Sequence, residues 1–429
     1  RDRGGVAAAL ATVGDRLTGV GIPGDLLYPA ESVREWTQSV GARYVDLPSV
    51  HGHDAFLLET GRVSAILREA LDRAAGGRVE TTRTRVTRDH VDAQIRVVNV
   101  RDVSRDMRVA TVTPTLRVAI AGCGHVGGSL LELLAERART HDTVRVDRVL
   151  VRDPNRARPS LANAIARGLA HSRARVTDPT ALLDDYTDVL VEAIGGTTTA
   201  RTLVETALQR GIRVVTANKA LLAERGPQLQ AMARINGTRI DFEAAVAGAI
   251  PVVRCIRSGA AGVGITQCSG ILNGTSNFVL DRVADGSSLS EAIRLAQDLG
   301  YAEADPTRDL SGEDAEDKLR VLAWLIFGVD PSTLTVARRG IDAPTAAWAA
   351  HVAAEGDRVK LIASCTLADG ALVARILPTR VTRDDPWASV SGPNNRIVIE
   401  SASAGALVFH GAGAGGRATA GAVLGDLLS

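Results

Sequence analysis

An α/β protein built around a doubly wound parallel sheet is what the sequence predicts, and three observations predict it. Short apolar runs of strand type alternate with helix-type patterns from residue 116 to about 245. A glycine-rich turn separates the first of those strands from the first helix, and 429 residues amount to roughly two to three domains at about 150 residues each. Composition then removes whole classes of function. Hydrophobic residues make up 45% and charged residues 23%, and 50 basic against 49 acidic side chains leave +1, so no basic field points to nucleic acid or an anionic membrane. The longest apolar runs, 189–194 and 321–327, fall far short of the roughly 20 residues that cross a bilayer, and a cytoplasmic location is expected. Cys123, Cys255, Cys268 and Cys365 show no CxxC spacing and read as reduced, packed thiols.

The opening segment, 1–75, has helix-type stretches at 31–40 and 60–74 flanking a strand-like run at 42–47. It carries Gly24-Asp25-Leu26-Leu27-Tyr28-Pro29 and, further on, His51-Gly52-His53-Asp54. An acid followed by a histidine, each after a strand, is the order in which α/β-hydrolases place the last two members of their triad. On those motifs the segment resembles the C-terminal end of homoserine O-acetyltransferase. The resemblance implies a partial α/β-hydrolase fold in which Asp25 orients His53 and Asp54 touches substrate. No Gly-x-Ser-x-Gly elbow lies upstream, so the triad is vestigial and acyl transfer is not expected. A chain that opens mid-domain in this way looks like the tail of a longer bifunctional protein. Residues 76–115, rich in Arg, Thr and Val, read as a linker.

Residues 116–121 form an apolar strand, followed by Gly122-Cys123-Gly124-His125-Val126-Gly127-Gly128 and a helical pattern through Ala138. In such a turn Gly122 allows the bend, Gly124 lets the backbone approach a pyrophosphate and Gly127 lets helix pack on strand. His125 and Val126 then open the helix whose positive end faces the phosphates. A second strand at 146–151 ends in Arg152-Asp153. An acid at that tip would hold ribose hydroxyls and an arginine would accept a 2′-phosphate, so Arg152 tilts the reading toward NADP, with NAD open. A strand at 188–194, a turn at Gly195-Gly196-Thr197, a helix at 199–210, a strand at 213–216 and a helix opening near Lys219 continue the alternation. Gly195, Thr197 and Lys219 fall on the carboxyl rim of this Rossmann-type domain (116–245), beside the cofactor.

Only three of the 50 basic residues are lysine: Lys219, Lys318 and Lys360. Where lysine persists in an arginine-default chain, it points to a site that uses an ammonium able to give up its proton. Lys318 ends an acidic block that contains Gly300, Glu303, Asp305, Asp309 and Asp314. A helix capped by Ser311, with Asp314 at the capping-box position, puts Asp314 and Lys318 on one face four residues apart. Glu303, Asp305 and Asp309 in the preceding loop can converge on the same pocket, an arrangement suited to an ammonium-bearing substrate with a hydroxyl to deprotonate. Lys360 reads as a surface or packing residue of a helix at 353–362.

From about 117 to the C-terminus the chain resembles homoserine dehydrogenase. The resemblance rests on Gly-x-Gly-x-x-Gly at 122–127, Thr-Ala-Asn-Lys at 216–219, Phe-Glu-Ala-Ala-Val-Ala-Gly-Ala-Ile-Pro at 242–251, Gly-Ile-Leu-Asn-Gly-Thr at 270–275, the 300–318 block and Gly-Ala-Gly-Ala-Gly-Gly at 411–416. It implies an NAD(P)-dependent interconversion of L-homoserine and L-aspartate 4-semialdehyde in threonine, methionine and isoleucine biosynthesis. Lys318 would be the proton donor and acceptor, and Lys219 would sit at the junction of nicotinamide and substrate. Glu303 and Asp314 would hold homoserine with Asp309 in support, and Gly300 and Gly415 would lie against the cofactor. It further implies a sodium site from Glu243 and the carbonyls of Val246, Gly248 and Ile250. An α+β substrate and dimerisation domain (246–395) would make a homodimer, and 396–429 would return to the nucleotide domain. Gly248-Ala249 departs from the two glycines usual before Ile-Pro. Neither a regulatory module after Ser429 nor a kinase portion is expected.

Overall fold

The computed structural model describes residues 18–22, 30–47, parts of 62–69, 115–138, 144–258, 264–368 and 370–429, and the chain divides near residue 108 into two units. In the first, β1 (Thr18–Gly21) and β2 (Arg43–Asp46) pair in parallel, with α1 (Ala30–Ser39) between them in sequence. Two strands assign no fold family, and the hydrolase likeness gains no support here. Asp25, His53 and Asp54 lie outside the described residues, as does nearly all of the 76–115 linker.

The second unit contains two six-stranded sheets. The first comprises β3 (Leu116–Ala121), β4 (Val144–Leu150), β5 (Arg175–Val176), β6 (Val189–Glu192), β7 (Arg213–Thr216) and β8 (Ile240–Asp241). All are parallel, in the order β5-β4-β3-β6-β7-β8. The intervening helices are α2 (His125–Arg137), α3 (Pro159–Ala166), α4 (Thr199–Gln209) and α5 (Lys219–Ile235). Every residue of β6 is buried, which is why the central strands read as unbroken apolar runs rather than alternating ones. The order reverses direction between β3 and β6, and a parallel sheet opens its ligand crevice beyond the strand ends at such a point.

After α6 (Ala244–Ala247) and α7 (Val252–Ser258) the chain builds the second sheet from β9 (Ile265–Ile271) onward. It runs through α8 (Gly274–Ala284), α9 (Leu289–Asp298), α10 (Thr307–Leu310), α11 (Glu313–Phe327), β10 (Val336–Arg338) and α12 (Ala343–Ala354), and then through β11 (Arg358–Ala368), β12 (Ala371–Val381), β13 (Asn394–Ser401) and β14 (Gly405–Ala412). The sheet is mixed, ordered β10-β12-β11-β9-β13-β14, with α8, α11 and α12 packed on β11. Because β13 pairs with β9, the chain returns to the first sheet only with α13 (Gly416–Leu428), which packs on α2, and not from residue 396 as expected. Helix α11 also packs on α5. Trp324 stacks on Phe242 with ring centres 5.5 Å apart and fills the space a side chain at Gly226 would need, 2.6 Å from its virtual Cβ.

Two local expectations fail. The helix expected at 353–362 stops at Ala354, and Lys360 lies in β11 with 1% exposure; an alanine-rich stretch hid the change from helical to alternating burial. Helix α11 starts at Glu313 behind Gly312 in a left-handed conformation (φ 83°), so neither a Ser311 cap nor a capping box forms. The four cysteines are free thiols, and burial pushes Cys268 up to about 12 and Cys365 up to about 11. No helix among the described residues is long and apolar enough to cross a membrane.

Candidate active site

At the end of β3 the backbone folds back on itself so closely that two positions exclude side chains. A Cβ on Gly122 (φ 103°) would come within 2.8 Å of the Ala193 carbonyl, and one on Gly127 within 2.0 Å of the Gly122 carbonyl. Nothing lies within 4 Å of a Cβ at Gly124, which faces a cavity of about 910 Å³ at the reversal between β3 and β6. Gly122, Gly124, His125, Arg152, Gly195 and Thr197 all line it, so six residues scattered over 75 positions meet at one opening. Val126 instead turns toward the hydrophobic core. Gly415 caps α13, and the following Gly416 approaches the His125 carbonyl, 2.9 Å from its virtual Cβ. Gly300 closes α9, two residues after its last turn.

The loop beside this cavity is shaped by a residue the sequence did not single out. Glu192, at the end of β6, is fully buried, and its Oε1 accepts from the backbone N–H groups of Ile194 (2.9 Å) and Gly195 (3.0 Å). Thr216 Oγ1 donates to Glu192 Oε2 at 2.5 Å and accepts from Asn218 N–H at 3.0 Å. Asn218 caps α5 through Leu221 N–H and donates to the Gly196 carbonyl. An acid ending an apolar strand was the available signal, since such a position needs internal donors. Thr216 and Asn218 thus set the start of α5, whose first residue is Lys219.

Lys219 Nζ lies 3.0 Å from Asp314 Oδ1, and Lys318 Nζ lies 2.7 Å from Asp314 Oδ2. One carboxylate therefore bridges the ammonium groups of two elements. Asn273, the cap of α8, is oriented by Ser276 N–H on its Oδ1, so its Nδ2 faces the acids and donates to Asp309 (2.8 Å) and Asp314 (2.9 Å). Lys318 Nζ also donates to the Leu272 carbonyl at 2.7 Å. Burial works against the Asp314 anion, but Lys318 and Lys219 outweigh it and hold the carboxyl well below the usual range. Burial likewise opposes charge on Lys219, yet Asp314, with Asp317 and Asp309 behind it, raises that ammonium above its ordinary value. Asp309 is pushed up by burial.

The loop acids do not all converge. Asp309 joins the cluster, whereas Asp305 is exposed and accepts from Thr307 N–H (3.1 Å) and Thr307 Oγ1 (2.5 Å), the first residue of α10. That local task holds its carboxylate below the usual range and away from the lysines. The side chain of Glu303 is exposed and, among the described residues, makes no ion pair with the cluster. Glu243 is buried, with its two oxygens accepting from Val253 and Arg254 N–H at 2.8 Å each, and the Ile250 carbonyl accepts from Val252 N–H. Gly248 carries the left-handed backbone angle (φ 57°) of this turn, where a Cβ would come within 2.8 Å of Gly413. The neighbouring Ala249 donates its N–H to the Ala412 carbonyl.

Comparison with known proteins agrees with this geometry along both sheets. The family model for the homoserine dehydrogenase NAD-binding domain matches residues 122–243, and the model for homoserine dehydrogenase itself matches 251–428. The homoserine dehydrogenase of Pseudomonas aeruginosa is 36% identical over 319 residues, covering 73% of this chain and 71% of that protein. That of Corynebacterium glutamicum is 38% identical over 323 residues, covering 72% and 71%. Among solved structures, a homoserine dehydrogenase from Thiobacillus denitrificans superposes with a TM-score of 0.66 at 36% identity, over 73% of this chain and 72% of that one. A hyperthermophilic archaeal homoserine dehydrogenase in complex with NADPH gives 0.61 at 27% identity, over 73% and 97%. With the dinucleotide turn, the two-lysine cluster and these matches in agreement, the chain belongs to the homoserine dehydrogenase family and is an NAD(P)-dependent oxidoreductase.

Proposed function

We propose that the chain interconverts L-homoserine and L-aspartate 4-semialdehyde, with Lys318 moving the hydroxyl proton. The observation that carries this reading is the Asp314 carboxylate shared by Lys219 and Lys318 at 3.0 and 2.7 Å. A bound dinucleotide would supply or accept the hydride; the proton and the charge fall to side chains. Lys318 takes the proton of the carbinol as the carbonyl forms, and Lys219 favours the developing alkoxide electrostatically. Glu303 and Asp314 hold homoserine with Asp309 in support, and Asp305 acts indirectly by fixing Thr307 at the start of the helix that carries Asp309. The test is homoserine-dependent reduction of NADP+ and NAD+ at alkaline pH. No reduction of either, with cofactor binding intact, would refute the assignment.

NADP is the cofactor this reading favours. Arg152, Arg156 and Arg158 line the cavity beyond β4, and the nearby acid, Asp153, spends an oxygen on Asn155 N–H. A guanidinium there suits a 2′-phosphate. Arg152→Ala is expected to raise KM for NADP+ about tenfold or more while leaving that for NAD+ nearly unchanged. Equal changes in both would show that Arg152 does not read the 2′-phosphate.

The donor set of Glu243 with the carbonyls of Val246, Gly248 and Ile250 fits a hard monovalent cation such as sodium, which would fix the turn before α7. We further take the protein to be a cytoplasmic homodimer through 246–395, preceded by an inactive acetyltransferase remnant. Exchanging sodium for choline in the assay should lower turnover. Acetyl-CoA with homoserine should give no product, and light scattering should return twice the chain mass; the opposite results would refute these readings in turn.

A further inference from the structure

We infer that Asn395 is a positioning residue for Lys318, acting through the Leu272 carbonyl that both side chains share. The inference rests on the reading of Lys318 as the proton carrier. Asn395 Nδ2 donates to the Leu272 oxygen at 3.0 Å, and Lys318 Nζ donates to the same oxygen at 2.7 Å. Asn395 comes from β13, 123 residues along the chain from Leu272, so nothing in local sequence links the two.

Asn395 is completely buried, and its Oδ1 meets no donor among the described residues. A buried amide satisfied at one end only is unfavourable, and an apolar residue of similar size would avoid the penalty. What the asparagine provides is therefore its Nδ2. Its orientation is also fixed: the flipped amide would set Oδ1 against the Leu272 oxygen, acceptor facing acceptor. With Nδ2 on one lone pair of that oxygen, the carbonyl is held to present the other to the ammonium.

The same amide occupies the space that a side chain at position 413 would need, with a virtual Gly413 Cβ 1.9 Å from Asn395 Cγ. Gly413 belongs to the glycine-rich segment that leaves β14 and brings Gly416 against the N-terminus of α2, beside the cofactor turn. Asn395 thus lies between the carbonyl that orients the ammonium and the backbone that returns to the dinucleotide. The charged groups around Lys318 are Asp314 on its own helix, Asp309 from α10, which Asn273 ties to Asp314, and Lys219 from α5 across Asp314. Asn395 is a neutral member of this set, contributed by β13.

The experiment compares Asn395→Ala and the isosteric Asn395→Asp with wild type and Lys318→Ala, with turnover normalised to dinucleotide-binding sites so that unfolded protein does not count. Asn395→Ala is expected to lower kcat about tenfold, the effect of one lost hydrogen bond to an orienting group, with both KM values within about twofold. Asn395→Asp sets a carboxylate against the Leu272 oxygen, which it repels, next to the ammonium that shares that oxygen. It should lower kcat further and move the rising alkaline limb of the kcat profile up by about one pH unit. If Lys318→Ala is inactive while both Asn395 variants keep wild-type kcat and limb position, the inference is overturned and the reading of Lys318 stands. Wild-type turnover in Lys318→Ala would instead overturn the reading on which the inference rests. A fall in kcat with no movement of the limb in Asn395→Asp would also overturn it, since a general loosening of the fold would do as much.

Discussion

Lys318→Ala is expected to lower kcat for homoserine oxidation by about 10²- to 10⁴-fold, the contribution of a positioned general base, with KM for NADP+ nearly unchanged. Lys318 Nζ is buried and anchored by Asp314 and the Leu272 carbonyl, each at 2.7 Å, so two of its contacts are fixed and a third position on nitrogen is left to exchange the carbinol proton. Alanine should not collapse the site, because Asp314 keeps Lys219 at 3.0 Å and Asn273 at 2.9 Å. Lys318→Arg is the sharper variant. Of the 50 basic residues in this chain 47 are arginine, so elsewhere the exchange is one the protein makes by default. At this position guanidinium retains the positive charge but cannot give up its proton, and its planar fork does not match the contacts of a compact ammonium. Initial rates should therefore be as low as with alanine, while circular dichroism shows an intact fold. More than about a tenth of wild-type turnover in the arginine variant would rule out proton transfer at this atom.

How much of this site could be read from the sequence follows from the range over which each part is encoded. The dinucleotide turn is local: strand, glycines and helix lie within 22 residues, and the steric need for Gly127 comes from Gly122 in the same turn, although that for Gly122 comes from Ala193 at the end of a distant strand. Asp314 and Lys318 were legible for the same reason, being one helical turn apart. The connection of Lys219 to that pair was visible only as a shared rarity of lysine, and the resemblance to a family supplied its place. Asn273 and Asn395 were not legible as working residues, because the partners that matter lie 41 and 123 positions away and no periodicity marks a hydrogen bond of that span; Glu192 offered a local signal, an acid ending an apolar strand, but its bond to Thr216, 24 positions on, did not. Asp305 misled for the opposite reason. An acid in an acidic loop suggests a pocket, but its partners are both on Thr307, two positions away, and that local pairing outcompeted any convergence.

Lys360 is the case in which sequence reading failed most and the expected effect on stability is largest. Its Nζ has three protons and meets three acceptors: Asn277 Oδ1 at 3.0 Å, Asp281 Oδ1 at 2.6 Å and the Val390 carbonyl at 2.6 Å. Asp281 Oδ2 accepts from Gly392 N–H, and Asn277 Nδ2 donates to the Val390 and Gly392 carbonyls, so α8 and the loop before β13 close around one ammonium. Burial pulls the Lys360 pKa below its ordinary value although Asp281 opposes the shift. Lys360→Met would leave the largely buried Asp281 without its counter-charge, and breaking such a pair costs up to about 3–5 kcal/mol. Denaturant unfolding of the second unit should show that loss, whereas a change under about 1 kcal/mol would mean that the pair is not what ties the loop to the helix. Combining Lys360→Met with Asp281→Leu should recover part of the stability, since the uncompensated charge is then gone and only the bonds to Val390 and Gly392 are missing. Arginine should not substitute here either, because a planar group with five donors has nowhere to place the extra two in a cavity with 1% exposure. The network reaches the active site through α8, whose cap Asn273 holds Asp309 and Asp314, so the destabilised protein should also lose affinity for homoserine before it unfolds.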